Sequence, residues 1–189
     1  MGEGMRVADP QVLMVDDEKR VADAYALRLE DVADVAVAYG GEEALAAVDE
    51  GPVPDVVLLD RHMPGLSGDE VLERLRERET ATRVVMVTAV DPDLGVLDMP
   101  FDDYLSKPVD RDDLLTTVDQ QCRVLAYELL GEYFSLESTR TALESEVATD
   151  AASDRLEEIA RRRTALEERV RSLLPEADEA LAAFSGVDR

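Results

Sequence analysis

Five residues of this chain combine reactive side chains with a shared place, the carboxyl ends of short apolar runs. Asp16 and Asp17 follow Gln11–Val15 (QVLMV), Asp60 follows Asp55–Leu59 (DVVLL), Thr88 closes Arg83–Thr88 (RVVMVT), and Lys107 follows Asp103–Ser106 (DYLS). If the first and third runs are neighbouring strands, three carboxylates converge on one mouth. Like charges a few ångströms apart are unfavourable unless a cation sits among them. Mg2+ suits such a place: it takes oxygen ligands, keeps several waters and binds through one or two carboxylates plus phosphate oxygens. Thr88 adds a hydroxyl and Lys107 an ammonium. The set fits binding and transfer of a phosphoryl group, its charge shared among metal, hydroxyl and lysine.

The elements that must position these groups are legible in the hydrophobic pattern. A fifth β-branched run, Val35–Tyr39 (VAVAY), joins the four above, and three of the five are near-continuous apolar stretches, as expected of parallel strands covered on both faces. Between them lie amphipathic stretches: Glu18–Glu30, with Val21, Ala24, Tyr25 and Leu29 on one face, then Gly41–Glu50 and Asp69–Glu79. Asp91–Pro100 holds Pro92 and Gly95, so any fourth helix there should be short. Strands alternating with helices predict an α/β fold, a doubly wound five-stranded parallel sheet of order 2-1-3-4-5, which gathers ligands at the carboxyl ends of its strands. Taken alone, Asp16 and Asp17 would also serve as a helix cap and a first-turn acid.

From Asp110 onward strand signals stop. Leu115, Val118, Cys122, Leu125, Leu129, Tyr133, Leu136, Leu143 and Val147 recur at helical spacing, and Gly131, within this run, is a place for a break or kink. A small polar stretch, Thr149–Ser153, separates it from a second stripe of Leu156, Ile159, Leu166, Val170 and Leu173, interrupted by Arg163. Pro175 can open a last helix through Phe184. The expected organisation is a tail over 1–9, a sheet domain over 10–121 and an all-α helical hairpin over 122–189.

Composition narrows the partners. The chain has 189 residues, 20 basic against 44 acidic, a formal net charge of −24, and only two of the bases are lysines, Lys19 and Lys107. Such acidity repels phosphate backbones and anionic membrane surfaces. One cysteine, Cys122, excludes an internal disulfide or a cysteine metal cluster and reads as a small buried hydrophobe. No run is long enough to span a membrane, and MGEGMRVADP lacks a signal-peptide core, so a cytoplasmic protein is expected. Diffuse acidity with so little lysine suits a cytoplasm of molar salt, where a Debye length of about 3 Å screens self-repulsion.

The runs VLMVDDE (12–18), VVLLDRHMPGLSG (56–68), VVMVTA (84–89) and DDYLSKPV (102–109) resemble, in order and spacing, the receiver domain of two-component response regulators, a flavodoxin-like fold. The resemblance covers about residues 10–121. It implies that Asp60 accepts a phosphoryl group from a histidine kinase on a separate chain. It further implies that Asp17 and Asp16 hold Mg2+ with Asp60 and the backbone carbonyl of His62. Thr88 and Lys107 would contact the phosphoryl oxygens, and the small Ala89 would leave room for them. Thr88 and Tyr104 would form the switch. On this reading the chain turns over no separate substrate. An aspartyl-phosphatase type enzyme would carry a second Asp where His62 stands. The chain departs from the receiver pattern at Pro100 and Phe101, where receivers usually have a small pair.

Residues 122–189 hold 9 arginines and 15 acids. Arg161–Arg163 lies among Glu157, Glu158, Glu167 and Glu168, which suits a solvated helix face. With runs such as ELLGEYFSLESTRTALE, this tail resembles the HalX domain appended to haloarchaeal receivers. The expected output is protein–protein interaction, with a second copy or an unknown downstream protein as partner. Phosphorylation-dependent DNA binding is the alternative, disfavoured by the charge.

Overall fold

The structure, a computed structural model, describes residues 9–78, 80–89, 99–144 and 150–185. They form two units, Asp9–Cys122 and the helices from Arg123 onward.

The first unit contains β1 (Gln11–Val15), α1 (Lys19–Leu29), β2 (Asp34–Ala38), α2 (Gly41–Glu50), β3 (Val56–Leu59), α3 (Gly68–Arg76), β4 (Arg83–Thr88) and β5 (Asp103–Ser106). The five strands form one sheet of order β2-β1-β3-β4-β5, and all pairs are parallel. β1, β3 and β4 are buried almost throughout, because Val, Leu and Met fill both faces. The core under α2 and α3 joins Leu13, Val15, Val57 and Leu59 to Leu45, Val48, Leu72 and Leu75. The expected fourth helix over Asp91–Pro100 falls mostly outside the described residues.

Several boundaries differ from the sequence reading. β2 starts one residue earlier, at Asp34, and β3 one later, at Val56. α3 stops at Arg76, and beyond it Arg78 pairs with Asp49 of α2 and donates Nη1 to the Arg74 carbonyl. α1 buries Ala22, Tyr25, Ala26 and Leu29, leaving Ala24 exposed. The Ser67–Glu70 capping box closes the start of α3, a device worth about 1 kcal/mol.

α4 (Arg111–Glu144) opens on Asp110, whose Oδ1 accepts the Asp113 N–H at 2.9 Å. Leu114, not Leu115, is the fully buried residue of its first turns, with Leu115 half-buried. α4 runs unbroken through Gly131. A glycine in a helix costs about 1 kcal/mol, which the buried Leu129, Leu130 and Tyr133 around it outweigh. α5 (Asp150–Leu173) begins inside the expected polar break, so the backbone of Asp150–Ser153 is helical. Thr149 and Val147 lie outside the described residues. α6 (Ala177–Ser185) starts two residues after Pro175.

α4 and α5 form an antiparallel hairpin. Arg123 pairs with Glu176, just past the end of α5, and Glu132 with Arg162, so the position on α5's side falls as that on α4 rises. Arg163 does not interrupt the seam. Its Nη2 donates to the Tyr133 hydroxyl at 2.9 Å, its guanidinium lies 5.0 Å from that ring, and its Nε stands 2.8 Å from Glu137 Oε2. The Cys122 side chain is buried, as expected of a small hydrophobe.

Candidate functional site

Register explains the convergence at the sheet's carboxyl edge. Val15 of β1 stands opposite Leu59 of β3, so Asp16 and Asp60 are the next residues on adjacent strands, and the Asp60 N–H donates to the Val15 carbonyl at 2.9 Å. On the far side of β4, Thr88 faces Ser106 of β5, and the Lys107 N–H donates to the Thr88 carbonyl at 2.8 Å.

Asp16, Asp17 and Asp60 each offer a carboxylate oxygen within 4.8 Å of the others. Asp16 is fully buried, Asp60 nearly so, and Asp17 half-buried. Lys107 Nζ lies 2.6 Å from Asp16 Oδ2 and 3.2 Å from Asp60 Oδ1. The second Asp16 oxygen accepts the Glu18 N–H at 2.9 Å, so the cap reading and the site reading of Asp16 hold together. Three carboxylates against one ammonium leave an excess of negative charge in a largely buried mouth. That donor set could hold a metal ion, and its oxygen ligands are of the kind Mg2+ takes.

The charges act on each other. Burial pushes the Asp60 carboxyl up, and Lys107 opposes this without cancelling it; the Asp16 charge adds to the rise. For Lys107, burial pulls the ammonium down. The hydrogen bond to Asp16 and the charges of Asp60 and Asp16 together outweigh that, holding it above the usual lysine range.

Thr88 is buried at the mouth's edge, Ala89 is exposed beside it, and the His62 side chain is exposed. Tyr104 is half-buried, its ring 6.1 Å from that of Phe101 and tilted by 52°. The departure at Pro100 and Phe101 is thus accommodated by packing. Phe101 and Tyr104 both lie on the core, and Arg76 holds the loop by donating to the Pro100 carbonyl at 2.7 Å and to Asp102 at 2.5 Å.

Three supports have no counterpart in the sequence reading. A β-carbon at Gly68 would lie 2.1 Å from the Asp60 carbonyl oxygen, so only glycine lets the start of α3 pass beneath this loop. Arg61, next to Asp60, is tied to Asp69 at 3.1 Å. Behind Lys107, Arg28 Nη1 donates to the Val109 carbonyl at 2.6 Å, and the Val109 N–H donates to the Tyr25 hydroxyl at 3.2 Å. The one advance signal is the glycine closing the run VVLLDRHMPGLSG. A cavity of about 330 Å3 between Gln11, Leu13, Ala47 and Pro52 lies at the opposite end of β1 and lacks this chemistry.

The family model of the response regulator receiver domain matches residues 12–119. The chain belongs to that family. A HalX domain model matches residues 123–186. A Haloferax volcanii protein provisionally named a transcriptional regulator is 46% identical over 142 residues, 74% of this chain and 24% of that protein. The transcriptional regulatory protein TcrA of Mycobacterium tuberculosis is 40% identical over 113 residues, 58% of this chain and 44% of its own. The chain therefore spans a quarter to a half of these curated relatives. Among solved structures, a CheY-like receiver domain from Methanospirillum hungatei aligns with a TM-score of 0.60 at 26% identity, covering 64% of this chain and 99% of its own. In this receiver, a helical HalX output domain follows the sheet, and no helix among the described residues is long and apolar enough to cross a membrane.

Proposed function

We propose that this response regulator accepts a phosphoryl group on Asp60 from a histidine kinase on a separate chain. The observation that carries the proposal is the cluster of Asp16, Asp17 and Asp60 within 4.8 Å, with Lys107 Nζ 3.2 Å from Asp60. An Asp60 carboxylate oxygen attacks phosphorus, and the P–N bond to the donor imidazole breaks. The electron pair returns to that nitrogen, leaving an acyl phosphate on Asp60. Asp16, Asp17, Asp60 and the His62 carbonyl would hold Mg2+, which supplies positive charge for the transferring oxygens when bound. Lys107 and the Thr88 hydroxyl meet those oxygens, with Ala89 leaving them room. Water later releases inorganic phosphate and restores Asp60, so the chain handles its own phosphorylation and turns over no separate substrate. The reading places it in the cytoplasm with its kinase.

The phosphorylated state favours Thr88 turned toward the phosphoryl group and Tyr104 following it, a shift of population between two arrangements. Output passes to the HalX helices, and their arginines favour protein contact over DNA. Arg140, Arg155, Arg162, Arg163 and Arg171 each lie within 2.8 Å of an acidic side chain. The names of the relatives favour a second reading, transcriptional control through direct DNA binding.

Beryllofluoride with Mg2+ tests the acceptor role: wild type should bind it, and Asp60→Asn should not. Absence of binding by wild type would remove the proposal. A gel shift in molar KCl, with and without Asp60→Asn, separates the two outputs: phosphorylation-dependent retardation of DNA supports the second.

A further inference from the structure

We propose that Tyr25 and Arg28 of α1 are positioning residues for Lys107, holding its backbone where the ammonium reaches both Asp16 and Asp60. The inference rests on the acceptor reading of Asp60 and adds to it two side chains from a helix that carries none of the reacting groups.

Val109 is the point of attachment. It lies between β5 and α4, in the stretch that follows Lys107, and is 5% exposed. Buried backbone groups must find partners, and two side chains of α1 supply both of them here. The Val109 N–H donates to the Tyr25 hydroxyl at 3.2 Å, and the Val109 carbonyl accepts Arg28 Nη1 at 2.6 Å. The Arg28 guanidinium lies 5.2 Å from the Tyr25 ring, so the two side chains brace each other. Val109 cannot move away from α1 without stranding two buried polar groups.

The same helix fixes the other end of the Lys107 contact. At its head the Glu18 carbonyl accepts the Val21 and Ala22 N–H groups, while the Glu18 N–H donates to Asp16 Oδ1 at 2.9 Å. The second Asp16 oxygen, Oδ2, meets Lys107 Nζ at 2.6 Å. One helix therefore holds Asp16 at its start and the Lys107 segment at its later turns. On the other side of Lys107, its own N–H donates to the Thr88 carbonyl at 2.8 Å, so the lysine backbone is pinned before and after. A lysine side chain is a flexible four-carbon stem, and where its ammonium settles depends on where that backbone is held.

Core packing alone does not call for these two groups. The Tyr25 ring is buried, which a phenylalanine ring would achieve equally; the hydroxyl is what reaches Val109. Arg28 directs its Nη1 at a carbonyl although the chain offers 44 acidic residues. Both choices converge on one residue, and that residue sits beside the lysine whose Nζ stands 3.2 Å from Asp60. A displacement of about 1 Å at a reacting group can cost about 100-fold in rate, so the hold on Val109 bears directly on the chemistry.

The test is a double-mutant cycle on the full chain, read as the initial rate of Asp60 labelling by acetyl phosphate with Mg2+. Tyr25→Phe combined with Arg28→Met should slow labelling about tenfold. Added to Lys107→Met, the same pair should slow it no further, because groups that act through Lys107 then have nothing to position. Arg28→Lys keeps a donor and should lose less than Arg28→Met. Leu27→Gln, 66% exposed on the same helix, should label at the wild-type rate. Rates are taken well below each variant's melting midpoint; if the pair melts too low, Tyr25→Phe alone completes the cycle. A wild-type rate in the Tyr25 and Arg28 variants would overturn the inference. So would an equal fold-loss with and without Lys107, which marks a role in the fold alone. Either result leaves the acceptor role intact, whereas a wild type that does not label on Asp60 would remove both.

Discussion

The α-carbon of Gly68 faces the backbone carbonyl of Asp60 so closely that a β-carbon would stand 2.1 Å from that oxygen and 2.8 Å from the Arg61 α-carbon. The start of α3 and the residue that carries the chemistry are therefore one packed unit, and a methyl group at position 68 acts on position 60 through the backbone.

Gly68→Ala should lower stability by about 1–3 kcal/mol, because backbone rather than a flexible side chain must move. It should also slow modification of Asp60. Gly131→Ala is the opposite case: with open space around it, the substitution should raise helix stability by up to about 1 kcal/mol. Thermal melts of both variants check the pair.

The charge balance of the mouth sets a dependence on pH and metal. Burial, aided by the Asp16 charge, raises the Asp60 carboxyl despite Lys107, so the folded chain holds this proton more tightly than the unfolded one. The associated stability is present below the unfolded carboxyl range and declines as pH rises through the raised value of Asp60. In EDTA at neutral pH, Asp60→Asn should therefore melt higher than wild type. Lys107→Met should melt lower by about 3 kcal/mol, since it strands buried carboxylates. Mg2+ should stabilise wild type and recover part of the Lys107→Met loss, while doing little for Asp60→Asn.

In the helical unit the sign is reversed. The Arg140 hydrogen bond holds the Glu137 carboxyl below the usual range, against the smaller effect of burial and with added help from the charges of Arg163 and Arg140. Its contribution is present above the unfolded carboxyl value and lost as pH falls through the lowered one. Glu137→Gln should remove that part of the acid sensitivity of the hairpin, at a cost within about 1 kcal/mol because the pair is partly solvated. Helix ellipticity followed from neutral pH down to below the ordinary carboxyl range measures it.

The strands and the site residues at their ends were readable because parallel strands buried on both faces write themselves as unbroken apolar runs, and their last residues face the mouth together. Helix faces were less so. Leu114 and Leu115 are chemically equal, and only packing selects Leu114 for the core. Arg163 looked like an interruption because Tyr133 and Glu137, which accommodate it, lie on the other helix. Gly68 carried no role in the sequence since its requirement comes from a backbone eight residues away. Asp150–Ser153 read as a break because small polar residues open helices as readily as they end them.

Phosphoryl mapping tests the central claim most directly. The chain is incubated with acetyl phosphate and Mg2+, the acyl phosphate is trapped by borohydride reduction, and the modified peptide is sequenced by mass spectrometry. The modification should sit on Asp60, disappear in Asp60→Asn and fall sharply in Lys107→Met. Modification at another carboxylate in wild type, or undiminished labelling of Asp60→Asn, would contradict the account.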